Sequence, residues 1–96
     1  MMALFSLGTH LSATPGAILA LRDSGVTVAQ LFARHLALEP GELCREDQAA
    51  NRRALETGGR ILSCYIVDGR RLYVITEAAG ERGVRYGTTL LRADEY

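Results

Sequence analysis

Apolar residues in the first half of the chain recur every three or four positions, between residues that favour helix ends. Thr14 suits a helix N-cap, Pro15 suits the first helical position, and Gly25 suits the residue that follows a helix. A second amphipathic stretch begins at Thr27, another capping residue, and ends before Pro40. The pattern therefore predicts two short helices in succession.

A third helix is predicted from a residue near Cys44 to the Gly58-Gly59 pair, which favours a helix end. Glu46 and Asp47 fall in its first turn, where the helix dipole favours negative charge. The apolar positions of this segment are few and are mostly Ala or Leu. We therefore expect the helix to lie on the surface with one face packed.

After residue 59 the apolar pattern changes from helical spacing to alternation. Two runs rich in β-branched and aromatic residues flank Asp68-Gly69, a dipeptide typical of a type I′ hairpin turn, so Val67 should face Arg70. One face of the hairpin then carries Leu62, Cys64, Ile66, Tyr73 and Ile75, and the other carries Ile61, Ser63, Tyr65, Leu72, Val74 and Thr76. The first face is more continuously apolar, and we predict that it contacts the helices.

The order of these elements predicts an α+β fold, in which N-terminal short helices pack on a C-terminal three-stranded antiparallel β-meander. The third strand is expected within residues 84–92, and residues 4–7 form either an edge strand or an N-terminal arm. Residues 1–96 make a single small domain, with residues 14–57 helical and residues 60–92 in the sheet. Because so small a core gives marginal stability, we expect a homodimer through a sheet edge or a helix face to add to it.

The chain has eleven Arg, no Lys and eleven acidic residues, so its net charge is zero. A neutral chain exerts no general attraction on DNA or on an anionic membrane, which disfavours both as partners. The sequence has no apolar run of about 18 residues that could span a bilayer. No basic residue precedes Arg22, as one would in a secretory signal, so we expect a cytoplasmic protein.

Residue types that carry chemistry are present, but their spacing matches no motif of catalysis or metal binding. The chain lacks a phosphate-binding loop, a dinucleotide-binding glycine motif and a nucleophile elbow. His10, His35, Cys44 and Cys64 do not have the spacing of zinc ligands. We therefore predict no enzyme activity, no catalytic residues, no metal and no cofactor. We expect both cysteines to be reduced and structural, although Cys44 at a helix start is a candidate reactive thiol.

Arginine residues on the third helix and at the hairpin turn are the candidate partner-binding residues. They are Arg52, Arg53, Arg70 and Arg71. If these two surfaces meet, their guanidinium groups suit the recognition of carboxylates or phosphates. The alternative is an ordinary solvated face with local ion pairs, such as Arg52 with Glu56 four residues later.

The two N-terminal helices also fit part of a DNA-binding helix-turn-helix pattern. Gly25 occupies the turn and Leu31 the apolar position six residues on, but Leu21 stands where a small residue is needed. In this alternative the DNA-binding residues are Thr27, Gln30 and Arg34. The lack of flanking basic residues for phosphate contacts favours instead a pair of helices that covers the sheet.

Several segments resemble a group of small proteins from plasmids and integrative elements of Gram-negative bacteria, often labelled plasmid-related proteins. The segments are "LFARH", "GELC", "RILSCY", "VITEA" and "TTLL…DEY", within residues 14–96. The chain departs from the group at "AGERGVRYG" and at Glu39-Pro40, so a function carried there would not transfer. The resemblance implies a mobile genetic element as the setting and implies no reaction.

Together these observations predict a small non-enzymatic protein-interaction module that binds a host or element protein. In the setting that the resemblance implies, such a module suits an anti-defence inhibitor, either anti-CRISPR or anti-restriction. The alternative hypothesis is a helix-turn-helix-like DNA-binding regulator of plasmid or element genes.

Overall fold

The computed structural model describes residues 4–96. Its strands are β1 (His10–Ala13), β2 (Ile61–Val67), β3 (Arg70–Thr76) and β4 (Gly87–Arg92), and its helices are α1 (Pro15–Leu21), α2 (Val28–Leu36) and α3 (Arg45–Thr57). Two 3-10 turns, Glu81–Gly83 and Ala93–Glu95, flank β4. The strands form one mixed sheet in the order β1-β4-β3-β2. Helix α1 contacts β4, α2 contacts β2 and β3, and α3 contacts β2.

The α+β class is confirmed, but the predicted three-stranded antiparallel meander is wrong in one respect. Strand β1 precedes the helices and pairs parallel to β4, with His10 opposite Gly87, which makes the sheet four-stranded and mixed. A Cβ atom at Gly87 would lie 2.1 Å from the His10 carbonyl oxygen, so glycine permits this close approach. The sequence of β1 has no β-branched residue and little alternation, and the pairing that creates the strand lies far along the chain. Residues 4–7 form an N-terminal arm and not a strand.

The hairpin between β2 and β3 has the predicted register. Val67 pairs with Arg70 and Cys64 with Tyr73. Asp68 and Gly69 both have positive φ, 50° and 75°, as a type I′ turn requires. Strand β4 then pairs antiparallel with β3, as the meander prediction expected.

The predicted orientation of the hairpin is wrong, because the helices cover its other face. The core joins residues of α1 and α2 to that face, namely Ala17, Ala20, Leu21, Leu31, Phe32, Tyr65, Val67, Leu72, Val74 and Leu90. On the predicted face Ile66 is 48% exposed, whereas Cys64 and Ile75 are buried outside the core that α1 and α2 form with the sheet. The sequence of the true core face appears less apolar because it contains Ser63 and Thr76. Both residues are fully buried, and their hydroxyl groups bind His35.

The helix ends follow the predicted capping residues, with two exceptions. Helix α1 ends at Leu21 with Arg22 as its C-cap, so Gly25 lies in the loop beyond it and does not terminate the helix as predicted; the second exception is Cys44. The Thr14 hydroxyl accepts a hydrogen bond from Ala17 N, and Thr27 and Gln30 form a reciprocal capping box. Helix α3 ends at Gly58, whose φ is 79°. Cys44 occupies the N-cap of α3, but its side chain makes no capping hydrogen bond. Among residues 4–96, none of the helices has the length and hydrophobicity that crossing a membrane requires.

Candidate functional site

A chain of buried polar side chains lies between α2 and the sheet. The imidazole of His35 lies 2.7 Å from Ser63 Oγ through Nδ1 and 2.8 Å from Thr76 Oγ1 through Nε2. Thr76 Oγ1 is 2.7 Å from Thr88 Oγ1, which donates to the Leu7 carbonyl oxygen at 2.8 Å. His35, Ser63, Thr76 and Thr88 together are called the buried polar layer below, and none of them is more than 1% exposed.

The hydrogen-bond directions within this layer follow from the bond between Thr88 and the Leu7 carbonyl. A carbonyl oxygen only accepts, so the Thr88 hydroxyl proton goes to Leu7, and Thr76 must donate its own proton to Thr88. His35 Nε2 therefore carries the proton that is donated to Thr76, and Nδ1 accepts from Ser63. A neutral His35 in this layer is therefore the Nε2–H tautomer.

The electrostatic surroundings agree with a neutral imidazole. Burial, together with the nearby positive charge of Arg85, lowers the pKa of His35 from 6.5 to about 4. Every polar atom of the layer is occupied, and the imidazole is fully buried. A Ser-His pair at hydrogen-bond distance is typical of nucleophilic catalysis, but here a substrate would have no access to either atom. The arrangement can hold the sheet and α2 together.

Arg85 is a second buried polar group that sequence reasoning missed. It is 7% exposed, and its guanidinium donates to the carbonyl oxygens of Gly59 (2.7 Å), Glu77 (2.9 Å) and Ala54 (3.2 Å). Burial lowers the pKa of this guanidinium. Its positive charge stands at the C-terminal end of α3, where the helix dipole favours a cation. The segment "AGERGVRYG" therefore carries a residue that fixes the end of α3.

The structure places the four candidate partner-binding arginines on the surface but does not bring them into one cluster. Arg70 and Arg71 point to opposite faces of the sheet, because they are consecutive in β3. Arg52 lines a small depression with Leu38 and Pro40, and Arg53 is exposed on α3. The predicted Arg52–Glu56 ion pair does not form; the ion pairs within residues 4–96 are Arg34–Glu39 and Arg92–Asp94.

Arg71 shares a shallow pocket of about 220 Å³ with both cysteines and two acidic residues. The pocket is lined by Glu42, Leu43, Cys44, Asp47, Leu62, Cys64, Arg71 and Tyr73. The Arg71 guanidinium is 3.6 Å from Cys64 Sγ, and Cys64 is buried while Cys44 is exposed. Neither cysteine forms a disulfide among residues 4–96.

The residues considered as zinc ligands lie apart. His10 stacks on Tyr86 at one edge of the sheet, with ring centroids 4.1 Å apart, whereas His35 is in the buried polar layer. The cysteines line the pocket at the start of α3. Among residues 4–96, no group of three His, Cys, Asp or Glu side chains is arranged to hold a metal ion.

The three candidate DNA-binding residues are each engaged in contacts within the protein. In the capping box of α2, the Thr27 hydroxyl oxygen accepts from Gln30 N and Gln30 Oε1 accepts from Thr27 N. The Arg34 guanidinium pairs with Glu39 and lies 4.3 Å from the centroid of the Tyr65 ring. The Arg34 guanidinium would therefore have to leave Glu39 and Tyr65 before it could reach DNA. The segment instead covers the sheet, with Leu31 and Phe32 in the core.

Comparison with models of protein families, with curated proteins and with solved structures finds no match to this chain. The mobile-element setting that the resemblance implies therefore stays a prediction, and the functional argument depends on the geometry above.

Proposed function

We propose that this protein is a non-enzymatic interaction module, whose surface arginines bind an acidic segment of a partner protein. The observation that carries the proposal is the contrast among its arginines. Arg34, Arg60, Arg85 and Arg92 each bind a partner within the chain. Arg52, Arg53, Arg70 and Arg71 are exposed and have no acidic partner among residues 4–96, and they stand as two sequence-adjacent pairs, unlike the single exposed Arg22, Arg45 and Arg82. Arg71 lies 3.6 Å from Cys64 Sγ but binds no carboxylate within these residues.

An exposed guanidinium without an internal partner is suited to bind a carboxylate of another molecule. Its planar set of N–H donors can bind both carboxylate oxygens at once, so the contact is directional as well as charged. Arginine is also among the residues that most often dominate protein interfaces. Because the net charge is zero, recognition depends on these local groups and not on a long-range field.

The hairpin end, residues 68–71, is the better primary contact of the two arginine regions. It projects at the end of two paired strands, so its position is fixed by the sheet while its side chains remain exposed. Because Arg70 and Arg71 point to opposite faces, a partner segment that binds both must cross the end of the hairpin. Arg52 and Arg53 on α3 then form a second, separate contact.

The partner is proposed to be a protein of the host or of a mobile element, in the cytoplasm. An anti-defence role against a CRISPR or restriction complex is the most specific form of this proposal, and only the sequence resemblance supports it. Competition for a surface of such a complex needs no catalytic group, which suits a chain of this size.

The proposal can be tested by charge reversal at the hairpin end. A pull-down from a bacterial lysate would identify partners of the wild type, and titration calorimetry with the purified partner would give the affinity. We expect Arg70→Glu with Arg71→Glu to weaken binding by about tenfold or more, since like charges would then face each other. Arg22→Glu with Arg82→Glu is the matched control, because both are exposed arginines without an acidic partner among residues 4–96.

The outcomes separate the candidate surfaces. Equal loss in the hairpin double variant and in the control would indicate a general charge effect and contradict a specific contact. Loss in Arg52→Glu with Arg53→Glu alone would move the contact to α3. Salt-sensitive binding to duplex DNA that is lost in Arg34→Ala would instead favour the helix-turn-helix alternative.

Self-association is a separate proposal, because it uses neither arginine region. Its surface is derived in the next subsection.

A further inference from the structure

The two edges of the sheet differ in how their backbone groups are satisfied. At the β2 edge, Cys64 N donates to the Pro40 carbonyl at 3.2 Å and Cys64 O accepts from Glu42 N at 2.7 Å. Two residues earlier in β2, the carboxamide of Asn51 in α3 binds both the N–H (3.0 Å) and the carbonyl (2.6 Å) of Leu62. Gly41 allows the segment 40–42 to approach Cys64 this closely, because a Cβ at Gly41 would lie 2.0 Å from Cys64 O. The chain therefore closes much of its own β2 edge.

The β1 edge has no such cover among residues 4–96. In a parallel pair, alternate residues turn both backbone groups toward the same neighbour. His10 N donates to Tyr86 O (3.1 Å) and Thr14 N to Leu90 O (2.9 Å), so the even-numbered residues face β4. Leu11 and Ala13 therefore direct their N–H and C=O groups away from the sheet. The side chain of Leu11 is 55% exposed.

Natural proteins usually protect an open strand edge with charged side chains, proline or a bulge. Residues 4–21, which include β1 and both of its flanks, contain no charged side chain. Proline occurs there only at position 15, beyond the strand. The edge thus retains what it needs to pair with another strand.

We propose that a second copy of this chain docks on this edge, so that β1 pairs antiparallel with its symmetry mate. Closure of the β2 edge is the main argument for a second copy. Because the outward groups of Leu62 and Cys64 are already bonded, the β2 edge of the next molecule offers few free groups to a β1 strand, which disfavours assembly into an open fibre through the edges. Pairing of β1 with β1 is isologous and stops at a dimer. A chain with zero net charge and an uncharged edge also has no electrostatic obstacle to meeting itself.

The backbone positions define the register. Pairing Leu11 with Ala13 of the partner subunit uses every outward N–H and C=O group of β1, with the two-fold axis at Ser12. The two copies of Ser12 then face each other as a non-hydrogen-bonded pair, in which side chains approach most closely. Leu11 lies on the helical face of the sheet, as its neighbour Thr88 in β4 does, and it becomes covered at the junction.

The first test is sedimentation velocity of the purified chain across micromolar to millimolar concentrations. We expect a monomer–dimer equilibrium that Leu11→Lys shifts toward monomer by at least about tenfold in dissociation constant. Ile66→Lys is the matched control, because Ile66 is 48% exposed on the strand at the opposite edge and should leave the equilibrium unchanged. Circular dichroism establishes that both variants are folded.

Three further variants test the backbone pairing and its register. Leu11→Pro removes one outward donor and no bond to β4, so it should also yield a monomer. Ser12→Cys in a Cys44→Ser background should form a disulfide-linked dimer under mild oxidation, and Leu11→Cys in the same background should do so less readily. A monomer at all concentrations, or a dimer that Leu11→Lys leaves intact, would overturn the proposal. These experiments use the chain alone, so their result is independent of the arginine-mediated binding proposed above.

Discussion

The buried polar layer and the hairpin end both contain closely spaced polar groups, but they satisfy those groups in opposite ways. Inside the protein, each polar atom of His35, Ser63, Thr76 and Thr88 has a partner from another element. At the hairpin end, Arg70 and Arg71 project from a turn that is held by backbone geometry alone. Polar groups are therefore satisfied within the protein in one region and exposed to solvent in the other.

This difference has an energetic basis. A buried donor or acceptor that loses its partner costs about 1–3 kcal/mol, because no water replaces the lost bond. An exposed charge that loses its partner regains water, and surface ion pairs contribute about 0–1 kcal/mol. Substitutions in the interior should therefore change the stability of the fold, whereas substitutions at the hairpin end should change binding alone. The following predictions test that contrast.

The largest effect is expected at Arg85, which extends the buried region to the end of α3. Arg85→Ala removes the donors of three carbonyl groups, and we expect it to lower the free energy of unfolding by about 3 kcal/mol or more. Arg82→Ala is the control, because Arg82 lies in the same segment and is exposed. Urea denaturation of both variants measures the difference, and equal midpoints would contradict the structural role of Arg85.

The second prediction concerns pH. The pKa of His35 is about 4 in the folded chain and about 6.5 in the unfolded chain, so the unfolded state binds more protons between these values. The stability that neutral His35 contributes is complete above pH 6.5 and is lost progressively as the pH falls to about 4. At about 1.4 kcal/mol for each pH unit, the total loss is about 3 kcal/mol.

His35→Gln should remove this part of the pH dependence, since a carboxamide can donate and accept but does not titrate in this range. The matched control is His10→Gln, the same substitution at the exposed second histidine of the chain. Chemical denaturation at a series of pH values from 7 to 4 checks both. An identical loss of stability in His35→Gln and wild type would show that other groups dominate.

The parts of the fold that were predicted from the sequence depend on local chemistry. Asp68-Gly69 specifies a turn with two positive φ angles, and this turn alone sets the hairpin register. The caps at Thr14 and Thr27 likewise need only the residues of the next turn. Such signals are complete within a few residues, so they can be recognised without knowledge of the rest of the fold.

The parts that were not predicted depend on partners far along the chain. Strand β1 exists because Gly87 lets it approach β4, some 75 residues later in the sequence. Ser63 and Thr76 can enter the core because His35 of α2 binds both hydroxyls, so a count of apolar residues chose the wrong face. Nothing in the glycine-rich segment distinguishes Arg85 from an exposed arginine, because the three carbonyl groups that it binds lie elsewhere in the chain. These contacts between distant residues leave no local pattern in a single sequence.

A smaller effect is expected at the turn of the hairpin end. Gly69 has a φ of 75° and no heavy atom within 4 Å of a Cβ built on it, so only backbone strain opposes a side chain there. We expect Gly69→Val to lower stability by more than about 1 kcal/mol, because a β-branched residue disfavours positive φ. Gly80→Val is the control, since Gly80 has a negative φ of −85°. Unchanged thermal midpoints in both variants would contradict the type I′ turn.

The smallest change in stability is expected from the charge reversal that should affect binding most. Arg70→Glu with Arg71→Glu replaces two exposed side chains, so its cost should stay below about 1 kcal/mol. What cost there is should come from position 71, where a new carboxylate would share the pocket with Glu42 and Asp47. Added salt screens exposed like charges, so thermal unfolding at low and high ionic strength should bring the variant closer to the wild type. A loss of several kcal/mol in the variant at any salt concentration would show that the hairpin end contributes to the stability of the fold, as the interior does. Reduced binding could then not be assigned to a lost contact.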